Sequence, residues 1–231
     1  MGIRVLAVSD EVDDGLARGL GSGRPIDVIL ACGDLPADYL AALMNRFDAP
    51  LVFVPGNHDP DLSGYRQSRA GLVTRAGFPA APPWPSGALS ADGRVVDTAG
   101  LRVAGLGGCL RYSDGPNQYT ERQQARRARW LRYRVRRHSL RDRRPVDVLL
   151  THAPPLGIGD AEDPAHRGFS CYHRLVADLE PPVLLHGHVH PGRTRLRMAG
   201  RTTVCNVTGW RLLEITPRGL TEIEGGHRHA V

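Results

Sequence analysis

Residues able to bind a metal or move a proton stand in short clusters along this chain: Asp10, then Gly33-Asp34, then Gly56-Asn57-His58-Asp59, then Thr151-His152, and last His186-Gly187-His188-Val189-His190. Carboxylates, an amide oxygen and imidazoles without a thiolate suit Mn, Fe or Zn better than a soft metal or calcium. His58 beside Asp59 joins a proton carrier to a carboxylate, a pairing suited to general acid chemistry. Taken singly, each cluster has an ordinary explanation. Gly-Asp is a common turn, and a lone histidine after a strand usually makes a structural hydrogen bond. Their ordered recurrence is what points to a site.

Each cluster follows a short apolar run rich in Val, Ile and Leu, at residues 3–8, 26–31, 51–54, 146–150 and 183–185. Runs of this kind read as strands buried on both faces. In an open sheet of parallel strands, side chains just past the carboxyl ends collect along one edge, so residues distant in sequence meet there. Glycines before Asp34, Asn57 and His188 allow sharp turns and close approach of the backbone. Helices are expected at 36–47 and 170–179, with a less regular candidate at 10–20; the alternation of strand and helix argues for βαβ units. A longer helix is expected from Glu121 to about His138. Thr120 and Gln123 form its capping box, and Ala128, Leu131 and Val135 mark its inward face.

The remaining elements are less regular. Residues 95–97 and 101–106 read as a hairpin. Segments 193–198, 202–207, 210–215 and 220–224 suggest a C-terminal antiparallel meander. The proline-rich stretch 60–92 has little strand pattern and reads as a surface excursion. At 231 residues and 41% hydrophobic content the chain is expected to form a single domain, with 225–231 as a flexible tail. No apolar run approaches membrane-spanning length and no export segment is evident, so a cytoplasmic protein is expected. Cys32, Cys109, Cys171 and Cys205 are widely spaced and read as free thiols.

The motifs Gly33-Asp34, Gly56-Asn57-His58-Asp59, His152 and Gly187-His188-Val189-His190 together resemble those of the calcineurin-like metallophosphoesterases, over residues 10–190. The likeness is greatest to the compact bacterial branch related to cyclic-nucleotide phosphodiesterases. It implies an α/β fold, a four-layer α/β/β/α sandwich. It also implies two divalent ions, Mn, Fe or Zn, one held by Asp34, Asn57, His152 and His188 and the other by Asp10, Asp34 and His190. A water activated between them would attack phosphorus in a phosphomonoester or phosphodiester, a nucleotide among the candidates. His58 would protonate the leaving oxygen, with Asp59 orienting its ring. The first motif departs from the family: Val12 stands where a histidine would complete the second ion's shell.

Two further residues are candidates for contact with substrate. His166 lies in an Asp-rich loop, 160–168, that resembles a stretch in such relatives, and Arg111 follows the Gly107-Gly108 turn, whose backbone can hold a phosphate. Every one of the 30 Lys+Arg positions is arginine, for a formal charge of +6, which favours anionic partners such as phosphate esters. The arginine-rich stretch 122–144, with Trp130 and Tyr133, can be read as a solvated helix face or as a grip on a nucleic-acid backbone. Three functions therefore stand side by side: a metal-dependent phosphoesterase, a catalytically impaired protein of the same fold that binds a metal or a partner, and a nucleic-acid binder.

Overall fold

In the strand Ile3–Ser9, Val5 and Ala7 face one way and Leu6 and Val8 the other, and all four are buried. A strand apolar on both faces needs cover on both, and the chain supplies it with four layers. The computed structural model describes residues 2–18, 25–68, 71–190 and 195–226.

The first sheet runs, in spatial order, Gly219–Gly226, Gly209–Thr216, Ile3–Ser9, Val28–Ala31, Leu51–Phe53 and Leu89–Ser90. Its last four strands are parallel, and Gly209–Thr216 lies antiparallel to Ile3–Ser9. The second sheet runs Leu196–Ala199, Thr202–Asn206, Val183–His186, Val148–Thr151, Leu101–Leu106 and Val95–Thr98. Its four central strands are parallel and its two edges antiparallel. Between the sheets, Val5, Val28, Leu30 and Val52 pack against Val103, Val148, Leu150, Val183 and Leu185. Outside the first sheet, Tyr39, Leu40 and Leu43 of the helix Ala37–Phe47 cover Leu6, Ile29 and Leu51. Outside the second, the helices Glu121–Asp142 and Cys171–Leu179 cover Leu106, Leu149, Leu184 and Val204. This is the expected α/β/β/α sandwich.

The helix Glu121–Asp142 opens with the Thr120–Gln123 capping box and buries Gln124, Ala128, Leu131 and Val135. Several nearby arginines serve the fold. Arg127 Nη2 donates to both carboxylate oxygens of Asp92, at 2.5 and 2.7 Å. Arg102, 1% exposed, holds Asp97 and Asp142 at once. Trp130 and Tyr133 are half exposed and meet edge to face.

The structure corrects some expectations. The C-terminal strands do not form one meander: Leu196–Ala199 and Thr202–Asn206 close the second sheet, and the chain then crosses at Val207-Thr208 into the first. Strand spacing alone does not say which sheet a strand joins. The 60–92 stretch is not bare loop, since Tyr65–Gln67, Val73–Arg75 and Phe78–Pro79 form a small antiparallel sheet. The early helix shortens to Asp14–Arg18, with 19–20 outside the described residues. Gly225 and Gly226, expected in a tail, belong to a strand, while 227–231 lie outside the described residues. Among the described residues, no helix is long and apolar enough to cross a membrane. All four cysteines are free thiols.

Candidate metal centre

Both sheets bring the carboxyl ends of their parallel strands to the same edge. Asp10 comes directly after Ile3–Ser9, Asp34 after Val28–Ala31, Asn57 after Leu51–Phe53, His152 after Val148–Thr151 and His188 after Val183–His186. Hydrogen bonds lace the turns together across the sheet boundary: His152 Nδ1 to the Cys32 carbonyl (2.7 Å), and the His188 N–H to Asp10 Oδ2 (2.9 Å). The loops are pulled tight. A Cβ on Gly56 would lie 2.0 Å from Asp34 Oδ1, and one on Gly187 would lie 2.2 Å from Asp10 Oδ2. Asp10, Asp34 and His188 themselves have φ of 63°, 58° and 67°. Left-handed backbone at non-glycine residues costs on the order of 1–3 kcal/mol each and gathers where a site over-determines it.

A carbonyl only accepts, so Nδ1 of His152 is the protonated nitrogen and donates to Cys32. Nε2 then turns its lone pair toward Asn57 Oδ1 (2.9 Å) and Asp34 Oδ2 (3.3 Å). The Asn57 amide is oriented by Tyr112, whose hydroxyl oxygen accepts from Asn57 Nδ2 at 3.2 Å. Three acceptors therefore face one another in a buried place, an arrangement that only a proton or a cation can satisfy. Without a cation the site takes the proton. Burial pulls the His152 pKa down, but the hydrogen bond and charge of Asp34, with Asp10 beyond, lift it to about 9.

His188 adds a fourth donor. Its Nε2 donates to the Ala165 carbonyl at 2.7 Å, which leaves Nδ1 as the free acceptor. Burial, together with the charge of His152, pushes the His188 pKa down to about 3, so the ring is neutral and able to ligate. Ligand atoms of Asp34, His152 and His188 lie within 4.8 Å of one another, and no other group of three or more His, Cys, Asp or Glu among the described residues does so. With the Asn57 oxygen these donors fit a Mn, Fe or Zn ion.

The other expected ligands are arranged differently. Asp10 sits alongside, its pKa raised by burial, with Oδ2 bonded to the His188 N–H. His190 lies at the rim, its side chain 78% exposed, with Nδ1 3.6 Å from Glu11 Oε1. Val12 packs against the apolar layer beneath the first sheet. Asp10, Asp34 and His190 thus do not form a converging set like the one around His152.

Around this centre, His58 is exposed and its N–H donates to Asp34 Oδ1 at 2.8 Å. Contrary to the expectation that Asp59 orients the His58 ring, its Oδ2 accepts from the N–H groups of Asp34 (2.9 Å) and Gly56 (2.7 Å), bracing the two loops against each other. The His166 ring lies 5.3 Å from that of His188, continuing a row that starts at His152, and its Nδ1 pairs with Asp163. Arg111 is exposed, and among the described residues its guanidinium reaches the Gln118 carbonyl, at 3.4 Å. Its neighbour Tyr112 is the side chain that reaches the ligand set. Asn117, also unassigned from sequence, donates to the carbonyls of Gly56, Asp59 and Pro60 and clamps the loop bearing His58. Both belong to the 107–119 segment, where the residue types single out only the glycine turn and Arg111.

The family model described as calcineurin-like phosphoesterase matches residues 7–192. Solved structures show the same fold at low sequence identity. One covers 98% of this chain and all of its own, with a TM-score of 0.64 and 16% identity. TT1561 of Thermus thermophilus covers 96% of this chain and 99% of its own, with a TM-score of 0.61 and 18% identity. GAP50, described as the anchor in the inner membrane complex of Plasmodium, has a TM-score of 0.55 and 11% identity, covering 96% of this chain and 83% of its own. No curated protein matches the chain.

Proposed function

The chain belongs to the calcineurin-like phosphoesterase family, and on that premise we propose that it hydrolyses a phosphomonoester or phosphodiester at the centre built around Asp34. The observation that carries this reading is the meeting of acceptor atoms from Asp34, Asn57 and His152, where a cation would take the place of a proton. Asp34, Asn57, His152 and His188 would hold that ion. When bound, it would supply Lewis-acid chemistry, polarising phosphoryl oxygens and acidifying water.

The protein's own groups divide the remaining work. The His58 N–H and Asp59 keep Asp34 and Asn57 in register, so ligand geometry is set before substrate arrives. The exposed His58 imidazole would pass a proton to the leaving oxygen. His166, whose ring lies tilted against that of His188, would contact a phosphoryl oxygen. The test is quantification of bound metal followed by a panel of phosphomonoesters and phosphodiesters on the same preparation. Turnover that depends on Mn, Fe or Zn supports the reading; none with any divalent ion rejects it.

One observation favours a second reading. Val12 offers no donor, and His190 faces Glu11 rather than Asp34, so the second ion's shell is thin. A protein that binds a single ion and turns nothing over would fit this arrangement, and the same experiment separates the two.

A further inference from the structure

Beyond His58 lies a cavity of about 350 Å³ that shares Asp34, His58 and Asp59 with the metal centre's loops and runs beneath the helix Ala37–Phe47. Its walls are apolar: Leu35, Leu40, Phe53, Leu62 and Trp84, with prolines between them. Trp84 is 8% exposed and held rigid by Phe53, at 5.7 Å between ring centroids, and by Tyr65, at 5.5 Å edge to face. Its volume lies in the small-molecule range of roughly 300–1,000 Å³, and its charged and titratable lining side chains, Asp34, His58 and Asp59, are those shared with the site.

We propose that this cavity receives the leaving group of the substrate, and that the chain acts on phosphoesters of an apolar, ring-sized alcohol. The proposal rests on the phosphoesterase reading. In hydrolysis, water supplies the hydroxyl taken up by phosphorus; the ester P–O bond breaks toward the departing oxygen, which keeps the electron pair and takes a proton. With His58 as the donor of that proton, the departing alcohol would lie on His58's side of phosphorus, and His58 also lines the cavity. Walls of Leu, Phe and Trp offer hydrogen bonds to few groups, so they favour a phenol-like ring over a nucleobase, whose polar edges would be left unpaired.

The test uses two readouts. First, 2-naphthol alone is titrated into the full chain without metal, followed by tryptophan fluorescence and ligand-observed NMR. Second, with metal present, kcat/KM for 2-naphthyl phosphate is compared with that for an alkyl phosphate of matched leaving-group acidity. Saturable naphthol binding and a preference of about tenfold or more for the aryl ester are expected. Leu62→Asn, on a half-buried loop position, should weaken naphthol binding and collapse the preference, whereas Leu72→Asn, on the exposed side of the same excursion, should leave the ratio in place. Hydrolysis without naphthol binding, or with no aryl preference, overturns the pocket alone. Naphthol binding with no hydrolysis of any ester overturns the phosphoesterase reading and the leaving-group role with it.

Discussion

Nε2 of His152 and Oδ1 of Asn57 lie 2.9 Å apart, and both are acceptors once the ring is neutral. The hydrogen bonds behind them, to Cys32 on one side and Tyr112 on the other, prevent either group from turning away. His152→Ala is therefore expected to lower metal affinity by about 100-fold or more, beyond the ~10- to 100-fold typical of losing an outer-shell partner. Calorimetric titration with Mn²⁺ or Zn²⁺ checks this. The parent chain should also gain about 2.7 kcal/mol of stability with metal at a hundred times its Kd, a gain the variant lacks.

Val12 points into apolar packing where the family's second ion would look for an imidazole. The parent chain is expected to retain one ion after dialysis against trace metal, and Val12→His to raise affinity at the second position by about tenfold or more. Elemental analysis against protein concentration reads the stoichiometry. Two tightly held ions in the parent would contradict the argument.

His58 and Asp59 are adjacent but differ in what they touch. His58→Ala should lower kcat by about 10²- to 10⁴-fold, the span for a general acid, with little change in metal affinity. Asp59→Ala removes the acceptor for two backbone N–H groups and should weaken metal binding and thermal stability together. Parallel metal titrations and steady-state kinetics distinguish the two patterns.

Arg102 lies 1% exposed between Asp97 and Asp142. For Asp97, burial favours the neutral acid but the Arg102 and His138 hydrogen bonds outweigh it; for Asp142 the Arg102 hydrogen bond leads; both carboxyls are held below their ordinary value of 3.8. A folded pKa below the unfolded one contributes stability above the unfolded value and loses it as pH falls through the folded value. Arg102→Ala should destabilise the fold at neutral pH, by less than breaking a fully buried pair because both carboxylates it leaves are exposed to solvent. It should also flatten the acid limb below pH 4. Urea denaturation over a pH series measures both effects.

The layers and the cluster of Asp34, Asn57, His152 and His188 could be read from sequence because each rests on a local signal. Val5, Leu6, Ala7 and Val8 announce a strand covered on both sides, and a glycine-bounded Asp34 or Asn57 at such a strand's end announces where it delivers a side chain. Thr120 and Gln123 likewise mark the start of the helix Glu121–Asp142. What escaped depended on contacts distant in the chain. Tyr112 matters only because Asn57, 55 residues away, donates to it. Asn117 matters because three carbonyls of another loop converge on its amide. Short strands such as Val73–Arg75 carry too little pattern to show, and the role of Asp59 turns on backbone N–H groups that have no signature in residue type.

Asp34 and Asn57 hang from one sheet, His152 and His188 from the other. An ion gripped by all four would act as a rivet through the sandwich, so the two leaves could not part while it stayed, nor could it stay once they parted. Metal release would then be coupled to separation of the leaves, and the holo chain should resist unfolding more than the apo chain.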